Sequence, residues 1–278
     1  MNHINQNPES TETVIFLHIH KTAGTTLNRI IDRQYPHEQD FFIKSADDYP
    51  LFETFTMEQR NRYRLIRGHM NFGVHKLLSK PFAYFTILRH PIERAISYYY
   101  YVKNTPTHYN YEQANRMGLY EFLEQGVDIL MANGQTRIWA GGRPDFGYNE
   151  CTEEVLVQAK DNLDKYCAVV GLTERFDTTL LLLKNRFGWK NVFYTRQNVS
   201  VNRLKRHDLP AKTLQLLEEL NQLDMAFYQY GVERFEEQIK QQKKTFPIQL
   251  KIFQMMNKLV PFALPAYKLW VKGVRRIR

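Results

Sequence analysis

Short apolar runs alternate with helical patterns along most of the chain. Val14 to Ile19 is apolar and β-branched, and reads as a buried strand. A Lys-Thr-Ala-Gly loop follows, then Leu27, Ile30, Ile31 and Tyr35 at helical spacing. Arg64 to Gly68 is a weaker strand pattern. Phe82 to Leu88 is apolar almost throughout, as expected of a parallel strand covered on both faces. It leads into a helix with Pro91 in its first turn and Ile92, Ile96 and Tyr99 as apolar positions. Cys167 to Val170 is a further strand. Thr173 is suited to cap a helix that ends near Gly188, with Phe176, Leu180, Leu183 and Phe187 on one stripe. Val192 to Tyr194 reads as a brief last strand, and Pro210 to about Lys240 as helical with a break at Asn221 to Asp224. There is no internal repeat.

Strands alternating with helices imply an α/β fold, a parallel sheet flanked by helices. Such sheets bind ligands beyond the carboxyl ends of their strands. The 278 residues, 43% hydrophobic and 14% aromatic, suit one large domain with a real core and exclude disordered or low-complexity classes. The net charge of +9 is unevenly spread. Glu237 is the last acidic residue, and ten Lys and Arg follow it, so the body up to Glu237 holds 28 cations against 29 anions. That divides the chain into a flexible N-terminus (1–12), a neutral body (13–237) and a basic amphipathic tail (238–278), and it argues against a nucleic-acid partner for the body. Cys151 and Cys167 are too few for a disulfide framework and read as free thiols. No run of 18 apolar residues occurs, and the first dozen residues lack a signal or anchor pattern. The expectation is a cytoplasmic protein, peripheral at the inner face of the membrane if the tail binds lipid.

Two strand ends carry anion chemistry. In His18-Ile-His20-Lys21-Thr22-Ala23-Gly24-Thr25-Thr26-Leu27 a strand turns into a helix opened by hydroxyl residues, so free backbone N–H groups, threonines and a lysine can cradle an anion. It is not a Walker A loop, because the chain has no Gly-Lys dipeptide. In Leu88-Arg89-His90-Pro91-Ile92-Glu93-Arg94-Ala95-Ile96-Ser97, Arg89 leaves the most apolar strand, and Ser97 lies two turns into the next helix. Ser97 leans back toward the helix start, so the pair can clamp one phosphate. A cradle and a clamp on one sheet suit a ligand with two separated phosphate-like groups.

These two segments closely resemble the 5′-phosphosulfate and 3′-phosphate motifs of sulfotransferases, in particular the carbohydrate branch that includes the heparan-sulfate 2-O- and 6-O-sulfotransferases. Val170-Gly-Leu-Thr-Glu-Arg-Phe176 is similar to a further segment of that branch. The resemblance implies a P-loop-kinase-like sheet and 3′-phosphoadenosine 5′-phosphosulfate as donor, with no metal required. It also implies that Lys21, Thr22, Ala23, Gly24, Thr25 and Thr26 hold the phosphosulfate, and that Arg89 and Ser97 hold the 3′-phosphate. Sulfuryl transfer to a hydroxyl needs a base, and a His of near-neutral pKa suits it. Arg67-Gly68-His69-Met70 looks like the Gly-His motif of the 2-O branch, which makes His69 the expected base, with Lys21 stabilising charge on the leaving oxygen. The 2-O pattern has a second His where this chain has Arg67, which leaves the acceptor open between glycans and glycolipids.

Weaker signals surround this set. His18 and His20 share a strand face, and local structure or substrate contact is the expected role rather than a metal pair. Arg196, in Tyr194-Thr195-Arg196-Gln197-Asn198, is a candidate donor contact. Asn133-Gly134-Gln135-Thr136-Arg137 and Gly141-Gly142-Arg143 read as surface loops, with an acceptor-side role as the alternative. Tyr98 to Tyr101 cannot all face one side of a helix, so most are expected in the core and one or two against a sugar. In the tail, Ile248, Ile252, Met255, Met256 and Leu259 share a face beside Lys251 and Lys258. The pattern fits a membrane-surface or polyanion-binding helix as well as a terminal helix packed on the domain. The alternatives to a sulfotransferase are a nucleotide-dependent kinase, disfavoured by the missing Gly-Lys, and a non-catalytic polyanion- or membrane-binding module.

Overall fold

The computed structural model describes residues 12–44, 48–142, 147, 151–195 and 204–259. Its elements run β1 (Thr13–Leu17), α1 (Gly24–Ile31), β2 (Asp40–Ile43), α2 (Asp48–Thr54), α3 (Met57–Asn61), β3 (Leu65–Gly68), β4 (Phe82–Leu88) and α4 (Pro91–Lys103). They continue as α5 (Tyr111–Arg116), α6 (Leu119–Glu124), α7 (Gly134–Ala140), α8 (Glu153–Tyr166), β5 (Cys167–Leu172), α9 (Phe176–Phe187), α10 (Ala211–Leu220) and α11 (Gln222–Lys240). A last helix, α12, covers 246–259.

The five strands form one parallel sheet in the order β2-β3-β1-β4-β5. The expected α/β class therefore holds. Every residue of β1 is buried, as the apolar run required of a central strand with helices on both faces. Because chain order crosses from β3 over β1 to β4, the strand ends β3, β1 and β4 stand side by side, where open α/β sheets bind ligands. A second apolar cluster, built on Ile92, Ile96, Tyr99, Phe122 and Leu217, anchors α4 to α6 and α10. The helix α11 crosses the sheet closely at Gly231, where a Cβ would lie 2.3 Å from Leu88 Cδ1.

Several expectations change. Asp40–Ile43 is a strand that the apolar pattern did not mark, because only Ile43 of its four residues is fully buried at this sheet edge. Val192 to Tyr194 is not a strand. Its backbone is held by side chains instead: Arg33 Nη2 donates to the Asn191 and Phe193 carbonyls (3.2 and 2.7 Å), and Tyr194 N donates to Asn257 Oδ1 (2.9 Å). Thr173 does not cap α9. Its hydroxyl donates to the Leu88 carbonyl (3.2 Å), while Gly188 does end the helix with φ 69°. The break in the long helical stretch falls at Asn221, as expected. Asn133–Arg137 is no surface loop, since Gly134 to Trp139 are all buried in α7.

The compositional boundary at Glu237 falls inside α11, and Phe246 and Phe253 beyond it are buried in the main core. The first half of the basic segment is thus packed on the body. Glu12 is paired with Arg186 (2.7 Å), and both cysteines are free thiols. No helix among the described residues is long and apolar enough to cross a membrane. Residues 1–11, Arg143, Arg196 and 260–278 lie outside the described residues.

Candidate active site

The loop after β1 is shaped by its backbone. Lys21 and Ala23 both have left-handed φ values (70° and 66°), a conformation that costs non-glycine residues energy and persists where surrounding structure enforces it. Here Thr22, fully buried, closes the turn by donating its hydroxyl to the Ile19 carbonyl (2.8 Å). The result is a tight concavity ahead of α1, whose first N–H groups have no side-chain cap. Gly24 is required by close approach: a Cβ there would lie 1.8 Å from His18 Nε2. Thr25 is exposed at the helix start and Thr26 is buried beside it. The Lys21 ammonium lies 4.5 Å from the centre of the Tyr101 ring.

The β4 loop is joined to this one directly. Arg89 Nη1 donates to the Lys21 carbonyl (3.0 Å), and its other terminal nitrogen lies 3.7 Å from Glu93. Three side chains from distant parts of the chain hold the β4 exit. Gln135 accepts from Arg89 N (3.0 Å) and donates to Arg89 O (2.9 Å); Glu174 accepts from His90 N (2.8 Å); Thr173 donates to Leu88 O. The Thr-Glu pair of the Val170–Phe176 segment therefore braces the Arg89 loop. Ser97 is buried in the second turn of α4.

Gln135 is itself fixed by a buried polar centre. Asp224, fully buried, accepts from Gln135 N (3.1 Å), Thr136 N (2.7 Å) and Thr136 Oγ1 (2.8 Å), so a carboxylate meets the first turn of α7. Arg94, also buried, lies 3.8 Å from Asp224 and donates to the Leu130 carbonyl (2.6 Å). Burial pulls the Arg94 pKa down, and the Asp224 charge opposes that shift.

His69 leaves β3 next to the β1 loop. Its Nδ1 is 2.9 Å from the His18 carbonyl and 2.9 Å from His20 Nδ1. A carbonyl only accepts, so His69 carries its proton on Nδ1 and shares it between the two, which leaves Nε2 as the basic nitrogen. The His18 ring stacks on His69 (4.3 Å) and the His20 ring meets it edge-on (3.5 Å). Sequence spacing alone paired His18 with His20; the fold gathers both around the expected base. Among the described residues no group of three or more His, Cys, Asp and Glu is arranged to hold a metal ion. Burial, then the neighbouring His69 charge, holds His18 and His20 well below their ordinary pKa. Desolvation of its ring, with the Lys21 charge adding to it and the bond to the His18 carbonyl opposing it, lowers His69 to about 4, so it is neutral at pH 7.

Arg67 is no substitute for a second active-site histidine. It is buried, donates to Asp32 (2.5 Å), Asp40 (2.6 Å) and Asn28, and packs over Phe42, tying β3 to α1 and β2. Tyr98 and Tyr99 are in the core as expected, and Tyr101 is at the surface under Lys21. His20 stacks on Tyr98, whose hydroxyl donates to Asp128 (3.0 Å). His108 and Tyr109 stack nearby, adding an aromatic wall that the sequence had not indicated.

The fold and this edge define a parallel α/β protein with two joined cationic loops and a neutral histidine at three adjacent strand ends. Residues 2–245 match the model of the galactose-3-O-sulfotransferase family, and the chain belongs to that family of sulfotransferases. It is 26% identical to mouse heparan-sulfate 6-O-sulfotransferase 3 across 86% of this chain and 60% of that one. It is also 26% identical to bovine galactosylceramide sulfotransferase across 66% of this chain and 48% of the relative. The chain thus spans about half to three-fifths of the length of these relatives. A structure of mouse sulfotransferase SULT7A1 complexed with PAP aligns with 95% of this chain and 90% of its own, at 11% identity and a TM-score of 0.37.

Proposed function

We propose that this chain transfers the sulfuryl group of 3′-phosphoadenosine 5′-phosphosulfate to a hydroxyl of a carbohydrate, either a glycan or a glycolipid headgroup. The observation that carries this reading is the convergence of the Lys21 loop, His69 and the Arg89 loop on adjacent strand ends, with Arg89 bonded to the Lys21 carbonyl. The residues fit an anionic donor. Uncapped N–H groups and two cations line the loops, and two buried nitrogens, His18 Nδ1 and His90 Nδ1, have no partner.

In this reading the Lys21–Thr26 loop receives the phosphosulfate, and Arg89 with Ser97 receives the 3′-phosphate. His69 Nε2 takes the proton of the acceptor hydroxyl as its oxygen bonds to sulfur and the bond from sulfur to the phosphate oxygen breaks. Lys21 and the loop amides stabilise the charge left on that oxygen, and adenosine 3′,5′-bisphosphate departs. The neutral state of His69 supports the base role, since a protonated ring could not accept. The exposed rings of Tyr101 and Tyr109, with His108 between them over the buried Tyr98, suit a sugar face beside Lys21 and His20. The names of the relatives favour a sugar hydroxyl as acceptor.

Calorimetry and a labelled-donor assay test this together. The chain is expected to bind adenosine 3′,5′-bisphosphate without metal. His69→Ala should abolish transfer to a panel of oligosaccharides and glycolipids while retaining that binding, whereas Arg89→Ala should lose it. Absence of nucleotide binding, or full activity in His69→Ala, would refute the assignment.

A further inference from the structure

The helix α12 has two apolar faces. Phe246 and Phe253 are buried in the main core, and Phe253 stacks on Phe193 (5.3 Å). On the other side Ile248, Ile252, Met255, Met256 and Leu259 are each 45–62% exposed. Their spacing of four, three, one and three residues places them along one stripe of an α-helix. Five large apolar side chains in a row form a patch, unlike the scattered singles normal on a protein surface. Lys251 and Lys258 are exposed along one flank, with Lys244 just before the helix.

We propose that this stripe docks on the surface of an anionic lipid bilayer. A packed helix needs one apolar face, and α12 already has it, so the second face requires another partner. The charge pattern selects which one. No acidic residue follows Glu237, while ten Lys and Arg do. In a two-fold dimer built through this face, like-charged lysines would be brought together with no carboxylate of this segment to answer them. A soluble polyanion would answer the lysines but leave the apolar stripe wet. An anionic bilayer meets both demands: the side chains enter the boundary between headgroups and acyl chains, and the lysines meet the headgroup charge. The helix lies in the interface and does not span it.

The geometry also links this face to the reactive edge of the sheet. Asn257, near the end of α12, accepts from Tyr194 N, and the Tyr194 hydroxyl donates to Asp177 Oδ1 (2.8 Å) in the first turn of α9. That turn follows the carboxyl end of β5, so the last turns of α12 lie on the ligand-binding side of the sheet.

The test is co-sedimentation of the full chain with vesicles of phosphatidylcholine alone and of a phosphatidylcholine–phosphatidylglycerol mixture. Binding to the mixed vesicles is expected, with little to the neutral ones and weakening at high salt. Ile252→Glu combined with Met255→Glu should weaken partitioning by about tenfold or more. Lys251→Gln and Lys258→Gln should each weaken it roughly fivefold. These positions are exposed, so the variants should melt like the parent chain. Equal sedimentation with both vesicle types, or none with either, would overturn the proposal. So would undiminished binding by the double glutamate variant, which would assign attachment to other basic residues. A dimer that Ile252→Glu dissociates, in a chain that ignores lipid, would make the stripe a self-association surface instead.

Discussion

Asp224→Ala removes the carboxylate on which the Arg89 loop ultimately rests. The substitution leaves the N–H groups of Gln135 and Thr136 and the Thr136 hydroxyl without their acceptor, and it leaves the Arg94 guanidinium buried without a counter-charge. Breaking a buried charge pair from one side costs about 3–5 kcal/mol, and each orphaned buried donor about 1–3. These overlap, because the same oxygens serve several partners, so the expected loss is about 4–6 kcal/mol. For a chain of this size that corresponds to a fall in melting temperature of about 7–10 °C. Urea unfolding of the parent, Asp224→Ala, Arg94→Met and the double variant would measure both the loss and the coupling. The two sites should couple by at least about 2 kcal/mol, since removing both charges spares the cost of isolating either. Asp224→Asn, which retains one acceptor oxygen, should lose less than Asp224→Ala. A loss below about 1 kcal/mol, or single effects that add to within about 0.5 kcal/mol, would refute the reasoning.

Gln135→Ala leaves Asp224 in place but removes the two hydrogen bonds its side chain makes to the Arg89 backbone; affinity for adenosine 3′,5′-bisphosphate should drop about tenfold by calorimetry, and unchanged affinity would show that the brace is not needed. The histidine cluster predicts a pH dependence. His18, His20 and His69 have lower pKa values in the folded chain than the ordinary 6.5, so below about pH 6.5 the unfolded chain binds protons that the folded chain does not. Folded stability should therefore fall as pH decreases from about 6.5 toward 4, and should be insensitive to these groups above 7. Urea midpoints across that range check it, and a midpoint that rises on acidification would contradict it. If His69 is the base, kcat/KM should keep its neutral-pH value well below pH 6.5 and lose it on an acid limb nearer 4.

The sequence made the central strands legible because β1 and β4 are buried on both faces and so appear as unbroken apolar runs. Edge elements were less visible. Three of the four residues of Asp40–Ile43 are only half-buried, and Val192 to Tyr194 has strand-like side chains but hydrogen-bonds to Arg33 and Asn257. The Lys21 and Arg89 loops could be found because each is a contiguous segment whose residue types match anion chemistry. Partners brought from elsewhere could not be. Gln135 meets Arg89 across 46 residues, and Asp224 meets Thr136 across 88. No local period encodes such pairings, and a single Asp at a helix break resembles many others. The gathering of His18 and His20 on His69 depends in the same way on β1 and β3 being neighbours.

The hydrogen bond from Arg89 to the Lys21 carbonyl turns two receptors into a gauge. With the guanidinium of one loop tied to the backbone of the other, neither can shift to accommodate a shorter or longer molecule on its own. A ligand with one anionic group fills half the site, and a ligand whose two groups are wrongly spaced must break the tie to reach both. In the proposed reading, discrimination among nucleotides would reside in that span as much as in any contact with a base, and it would depend on the side chains of Gln135, Thr173 and Glu174 that hold the Arg89 loop in place.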